Sequence, residues 1–428
     1  MQHIEIYSDS KSINYPDSIY IIGGGRWAKV LIEVICGFIP PSVEISMHTL
    51  HNSSNVSTWV SENCFAQKVY VFAELPKFDP LKANVVIVAN ASRDHYKTAM
   101  WAISAKVPVL VEKPLALTLD DCLQLKQLSK HLDIPLAVSQ IFLFTRYLET
   151  FTKVVNKSGN IQTIKVFWSD PKKEIRYGEC KKFDPGLPIY IDLLPHVLSI
   201  IGSFLPFQSV QLNQLDYQRA GALLKLDIRV NEVPCQIYLE RNGSQRQRLV
   251  KVNTDKNLVQ LDFSKEPGSI ISFGKVTNGD PEWEIKEKPI ERMLKSFFSM
   301  VSNKKFDNSL QLESTITASI IIDQISNLYS SAQKTCLIET LSAKENVTED
   351  LFYLLNEIFQ YDGGSTAKCN DEQIAFIRNE FNGVNALGLL EALRNVQNHV
   401  SFITNIAKAS DSPKNLLELN QELNNHEP

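Results

Sequence analysis

The sequence predicts an α/β protein of two domains followed by a helical extension. Three observations predict it. Strand and helix patterns alternate up to about residue 140, a glycine-rich turn joins the first strand to the first helix, and a series of period-2 strands begins beyond residue 160. Regular alternation of strand and helix implies a parallel sheet covered by helices on both faces. Period-2 alternation implies a sheet with one face buried and one wet. The expected boundaries are residues 1–145 for the first domain, 146–332 for an α+β second domain, and 333–428 for the extension.

Composition narrows the classes of function. A chain of 428 residues exceeds one ordinary core. A formal net charge of −4 carries no electrostatic footprint for nucleic acid or an anionic membrane. The seven cysteines (Cys36, Cys64, Cys122, Cys180, Cys235, Cys336 and Cys369) are scattered and never spaced C-x-x-C. That pattern fits reduced cytosolic thiols, with neither a disulfide framework nor a metal site expected. Met1–Pro16 is polar without an apolar h-region, and no later apolar run is long enough to span a bilayer. The expectation is a soluble cytoplasmic protein.

Taken in order, the first strand is Ser18-Ile19-Tyr20-Ile21-Ile22, followed at once by Gly23-Gly24-Gly25-Arg26-Trp27-Ala28. This G-x-G-x-x-A opens a helix with Val30, Leu31, Val34 and Ile35 on one face. Gly23 permits the tight turn, Gly25 lets the backbone approach a pyrophosphate, and Ala28 allows close helix–strand packing. The helix N-terminus then offers free N–H groups and the positive end of its dipole to phosphate. The next strand candidate is Val43–Met47, after which an NAD site usually places an acid for the ribose 2′-OH. Here the chain reads His48-Thr49-Leu50-His51-Asn52-Ser53-Ser54. A carboxylate would repel a 2′-phosphate, so its absence, with Arg26 beside the loop, favours NADP over NAD.

Lys68–Phe72 and Asn84–Asn90 read as further strands; the second leads through Ala91-Ser92-Arg93-Asp94-His95 into a helix ending near Ala105. Val107–Val111 is then a buried strand that ends in Glu112-Lys113-Pro114. Pro114 lacks an N–H and cannot continue the ladder. Lys113 is therefore left at the C-terminal end of a strand, where open α/β sheets place their ligands. Thr118-Leu119-Asp120-Asp121 is a capped helix start, and Pro135–Gln140 supplies one more strand.

Together, Gly23–Ala28, Val85–Asn90 with His95 five residues on, and Glu112-Lys113-Pro114-Leu115-Ala116 resemble the Gfo/Idh/MocA oxidoreductases. The resemblance extends through Arg146-Tyr147 and Ser158-Gly159-Asn160-Ile161 and covers roughly residues 17–332. It implies an N-terminal Rossmann domain and a C-terminal domain whose large, mainly antiparallel sheet commonly forms a homodimer or higher oligomer. It implies cofactor contacts from Gly23, Gly25, Arg26, Trp27 and Ala28, from His48, and from Asn90, Ala91, His95, Glu112 and Lys113. Lys113 would lie near the nicotinamide and the reacting C–O or C–N group.

In the second half, Ile161–Ser169, Leu224–Val230, Cys235–Arg241, Arg246–Val252 and Leu258–Phe263 alternate apolar with polar. Arg241-Asn242-Gly243-Ser244 reads as a turn between two of them, and Ile290–Val301 and Leu310–Tyr329 read as helices. Between the strands lies Pro188–Gly202. Pro195 is tolerable in a first helical turn, which would put Asp192 at or near the N-cap and His196 one turn later. Read by themselves these are a cap and a core histidine; the family uses D-x-x-x-H here for acid/base work. An imidazole titrates near neutral pH and a neighbouring carboxylate can orient it. Lys113 can donate to a developing alkoxide, and either Lys113 or His196 can be the proton donor.

The chain departs from the family at Ser199, where a second Asp is common, and at Asn90-Ala91, where Thr-Pro is common. Lys172-Lys173-Glu174-Ile175-Arg176 with Lys181-Lys182 is either a solvated loop or a basic rim for an anionic substrate. Beyond about Ala332 the pattern is helical: Thr348 could cap Leu351–Ile358, and Ile374, Ile377, Phe381, Leu389 and Leu393 form a second apolar face. Two functions are carried forward. One is an NAD(P)-dependent oxidoreductase acting on a small-molecule carbonyl, alcohol or imine. The alternative is a catalytically inactive NAD(P)-binding regulator or scaffold of the same fold.

Overall fold

The structure is a computed structural model that describes residues 15–343, apart from 64, 66–67, 172–173, 177–178, 181–186, 304–307 and 311. The described chain divides into two compact units: residues 15–149 with 280–319, and residues 150–279 with those from 320 onward. The basic segments around Lys172-Lys173 and Lys181-Lys182, and the extension beyond 343, lie outside the described residues.

The first unit runs β1 (Ser18–Ile22), α1 (Arg26–Phe38), β2 (Glu44–His48), α2 (Ser53–Glu62), β3 (Val69–Phe72), β4 (Asn84–Val88), α3 (His95–Ser104), β5 (Val109–Val111), α4 (Leu119–Leu132) and β6 (Leu136–Val138). Its six strands pair in the order β3-β2-β1-β4-β5-β6, all parallel. The order reverses between β1 and β4, the switch point at whose C-terminal edge ligands bind in open α/β sheets. Apolar runs are buried on both faces: Ile19, Ile21, Val85 and Ile87 join one cluster, and Ile22, Val86, Val88, Val109 and Val111 join the other. The Thr118 hydroxyl accepts from Asp121 N–H at 3.1 Å and caps α4, as its sequence requires.

Helix α5 (Arg146–Lys157) leads into the second unit. There β7 (Ile161–Pro171) is followed by the short pair β8 (Ile175–Arg176) and β9 (Glu179–Cys180), then α6 (Ile189–Phe204). Next come β10 (Val210–Gln218), β11 (Leu223–Val230), β12 (Val233–Gly243), β13 (Gln247–Thr254), β14 (Leu258–Asp262), β15 (Ser269–Ser272) and β16 (Lys275–Asn278). Eight of these strands form one sheet, β10-β11-β12-β7-β13-β14-β15-β16, antiparallel except where β7 meets β12. The period-2 reading holds residue by residue: Ile164, Val166 and Trp168 on β7 and Ile237, Leu239 and Arg241 on β12 are buried. Helix α6 lies against β12.

Two segments differ from the sequence expectation. Residues 280–319, expected in the second domain, pack into the first unit. Helix α7 (Pro289–Asn303) buries Ile290, Met293, Leu294, Phe297 and Phe298 in the cluster that holds Ile19 and Leu31. The physical reason is an apolar stripe on α7 that fits the α1 side of the parallel sheet. Helix α8 (Glu313–Ala343) then carries the chain out of the first unit at its seventh residue. The proposed boundary at 145/146 falls at the start of α5, where Arg146 Nε pairs with Asp280 at 3.0 Å within the first unit.

Candidate active site

The first group of residues stands at the C-terminal edge of the parallel sheet. Gly23 sits directly after β1 at φ +138°, and a Cβ there would meet the Ala89 carbonyl oxygen at 2.4 Å. Its N–H donates to the His48 carbonyl at 2.9 Å, which ties the glycine turn to the end of β2. Gly25 is the N-cap of α1, and a Cβ added there would meet nothing within 4 Å. The first turn of α1 has no acidic residue and no side-chain cap. Its N–H groups and dipole are therefore left for an anion. Asn52 Nδ2 donates to the Gly24 carbonyl at 3.1 Å, and Thr49 hydrogen-bonds Asn52. This loop, which sequence reading passed over as lacking an acid, buttresses the glycine turn with neutral groups.

Next to β1, β4 ends at Val88 and leads into Asn90 and Ala91, and β5 ends at Val111 and leads into Glu112 and half-buried Lys113. His95, fully buried, joins these two strand ends. Its Nδ1 lies 2.6 Å from the Pro114 carbonyl oxygen and its Nε2 3.2 Å from the Asn90 carbonyl oxygen. A neutral imidazole has one N–H, and the shorter contact fits Nδ1–H donating to Pro114. Burial lowers the His95 pKa, partly countered by these two carbonyls, so the ring is neutral. His48 is likewise committed to the protein: Nδ1 is 2.6 Å from the Glu74 carbonyl oxygen and Nε2 is 2.9 Å from Ser46 Oγ. Both ring nitrogens of His48 are thus hydrogen-bonded within the protein, and His95 is tied to Pro114 through Nδ1 while its Nε2 faces the Asn90 carbonyl oxygen.

Glu112 is 8% exposed. Burial raises its pKa, with Trp27 and Ser139 beside it acting in the opposite sense. Among the described residues, Asn90 Oδ1 is buried without a hydrogen-bond partner, whereas Glu112 is met by Trp27 and Ser139. An orphaned buried polar atom is costly unless a ligand or water meets it. With the open cradle at Gly25, it fits a dinucleotide along this edge.

The second unit holds the other two candidates. Helix α6 begins at Ile189 with Pro188 as N-cap, so Asp192 lies in its first turn and Pro195 inside the helix. This corrects the expectation that Pro195 falls in the first turn: the apolar residues Ile189, Tyr190 and Ile191 are buried and extend the helix by a turn at its N-terminus. Asp192 Oδ2 accepts from Arg241 Nη2 at 2.9 Å, and Arg241 Nη1 donates to the Leu187 carbonyl at 2.8 Å. Arg241, expected to close one strand and open a turn, is on β12, which runs on to Gly243, and is only 1% exposed. Removing one partner of such a buried pair costs about 3–5 kcal/mol. His196 stacks on Trp168, centroids 5.6 Å apart and planes 12° from parallel.

Arg248 lies 4.0 Å over the same indole and pairs with Asp170; burial draws its pKa down to about 10, so it remains a cation. A desolvated cation–π contact of this kind contributes about 2 kcal/mol. Sequence reading missed Trp168, Arg241 and Arg248. Strand parity was the available signal, since Trp168 continues Ile164 and Val166, and Arg248 precedes Val250 and Val252.

Among the described residues no group of three or more His, Cys, Asp or Glu could hold a metal, and no helix is long and apolar enough to cross a membrane. Cys36, Cys122 and Cys235 are buried thiols outside any disulfide.

A glycine turn at the switch point of a parallel sheet defines a dinucleotide-binding α/β protein. Residues 18–140 match the GFO_IDH_MocA model, described as an oxidoreductase family with an NAD-binding Rossmann fold. Over these residues the chain is similar to the Gfo/Idh/MocA oxidoreductases. No curated protein matches in sequence. Solved structures are similar in fold over both halves. UDP-N-acetylglucosamine 3-dehydrogenase GnnA from Acidithiobacillus ferrooxidans aligns at TM-score 0.57 and 13% identity, over 72% of this chain and 96% of that one. The biliverdin reductase of Synechocystis sp. PCC 6803, in complex with biliverdin and NADP+, aligns at 0.55 and 16%, over 73% and 98%. A mutant of KijD10, a 3-ketoreductase from Actinomadura kijaniata in complex with TDP-benzene and NADP, aligns at 0.58 and 12%, over 73% and 97%.

Proposed function

We propose that the protein is an NAD(P)-dependent oxidoreductase, with NADP preferred, acting on a small-molecule carbonyl or alcohol, or on an imine. The observation that carries this reading is Lys113 at the end of β5, on the same sheet edge as the open cradle at Gly25. When bound, the nicotinamide supplies the hydride chemistry. The chain supplies the rest. The α1 N-terminus and Gly25 receive the pyrophosphate, with Arg26 and Trp27 beside them. Neutral Thr49 and Asn52 leave room for a 2′-phosphate where an acid would repel it. Asn90, Ala91 and Glu112 would line the approach to the nicotinamide, and His95 holds Pro114 in place through Nδ1. Lys113 would donate to the substrate oxygen or nitrogen, and His196, one turn after Asp192 on α6, is the second candidate for handling the proton. The dehydrogenase and ketoreductase among the similar structures make nucleotide-linked sugars a natural start for a substrate panel. Cytoplasmic location and a homo-oligomer formed through the eight-stranded sheet belong to the same proposal.

The test is Lys113→Ala. NADPH binding, followed by fluorescence, should stay within about threefold while turnover falls by orders of magnitude. Tight NADPH binding with no wild-type turnover on any carbonyl or imine would instead favour the inactive regulator. Tighter binding of NADH than NADPH would overturn the cofactor preference.

A further inference from the structure

We propose that Trp168 and Arg248 are positioning residues for the His196 imidazole, Trp168 setting the plane of the ring and Arg248 holding the indole in place. The proposal rests on the reading of His196 as a proton-handling group. An unrestrained histidine rotates about its Cβ–Cγ bond and carries its nitrogens around a circle. Proton transfer, by contrast, needs a nitrogen within hydrogen-bond reach and aligned with its partner. Stacking at 5.6 Å and 12° restricts that rotation, because turning the ring out of plane would drive it into the indole. The indole is itself rigid. Trp168 is 3% exposed, and its cross-strand neighbour on β13 is Arg248, whose guanidinium lies 4.0 Å over the ring.

Arg248 is in turn fixed from several directions. Its Nη1 donates to the Ser169 carbonyl at 2.6 Å and the Gln247 carbonyl at 2.8 Å, and its Nη2 pairs with Asp170. Among the described residues, other charged groups at this end of the sheet are also paired: Asp192 on α6 with Arg241 on β12, and Glu174 with Arg246. An otherwise apolar helix-facing surface, with Ile164, Val166, Ile237 and Leu239, thus gives way to Trp168, Arg241 and Arg248 next to the residues of α6 that carry the candidate chemistry. A core built for stability alone would not need two buried guanidinium groups at this one end.

The test uses the full chain labelled at histidine Cε1, with the His196 resonance assigned by its loss in His196→Asn. In the wild type, the indole ring current should displace that resonance. Trp168→Leu should abolish the displacement and lower kcat about 10–100-fold on the carbonyl panel, with KM changed less than about threefold and NADPH affinity kept. Trp168→Phe should restore part of both. If Trp168→Leu fails to fold, Trp168→Phe alone carries the test, with a reduced displacement and an intermediate kcat expected. An unchanged His196 resonance, or an unchanged kcat in the variant that loses the displacement, overturns the proposal. If His196→Asn retains full turnover, it is the role of His196 that fails; the resonance still reports on the stack, so the two failures are distinguishable.

Discussion

Gly23 and Gly25 stand two positions apart and meet different demands. Gly23 is required by the backbone, since its φ of +138° and the nearby Ala89 carbonyl exclude a side chain. Gly23→Ala should cost on the order of 1–3 kcal/mol of strain and lower the urea midpoint. Gly25 has open space around the Cβ position and an ordinary φ of −77°. Gly25→Ala should therefore melt like the wild type yet bind NADPH at least about tenfold more weakly, a loss of about 1.4 kcal/mol. Isothermal titration beside a thermal melt separates the two effects. His95 makes a pH prediction. Burial holds its pKa below 6.5, so the unfolded chain takes up a proton that the folded unit refuses. The stability this contributes is full above pH 6.5 and is lost as pH falls below it. His48 acts in the same sense. Glu112, pushed up from 4.5, acts oppositely, because it penalises folding as pH rises above that value. The two histidines should lower the melting temperature from pH 7 to pH 5 while Glu112 opposes them, and His95→Gln should remove the His95 share of that decline.

At the scale of elements, local rules located most helices and strands, and long-range packing set their ends. Helix α4 starts where Thr118 can cap it. Helix α6 starts three residues before Asp192 because Ile189, Tyr190 and Ile191 find buried places, and this packing tolerates Pro195 in the interior, where it offers no N–H to the Ile191 carbonyl. Strand β12 runs through Arg241 to Gly243, because Asp192 and the Leu187 carbonyl receive a guanidinium that would otherwise seek water. Helix α7 completes the core of the nucleotide-binding unit from far along the chain. Phe297→Ala, at a fully buried position, should cost about 3–5 kcal/mol and weaken NADPH retention on heating. Differential scanning fluorimetry with and without NADPH would check it; loss confined to a transition that NADPH does not shift would contradict the packing.

For the whole molecule, the proposed oligomer is the property open to direct measurement. Phe167 and Tyr238 stack with centroids 4.7 Å apart on the eight-stranded sheet, at the strand parity opposite to the buried Val166, Trp168, Ile237 and Leu239. Tyr238→Lys should shift sedimentation from dimer or higher species to monomer at micromolar concentration, and an unchanged sedimentation coefficient would exclude this surface as the interface. What the sequence by itself determined was local: the strand–helix alternation, the glycine turn, the cap of α4 and the lysine at the end of a buried strand. Each follows from periodicity, φ/ψ preference or a missing N–H within a few residues. What only the tertiary structure decided was partnership across the chain, such as Arg241 for Asp192, Trp168 for His196, the Asn90 and Pro114 carbonyls for His95, and α7 for the first core. No local preference encodes these pairings, because they depend on which faces meet once the sheets have formed. A buried charge or ring has a meaning only when its neighbours are known.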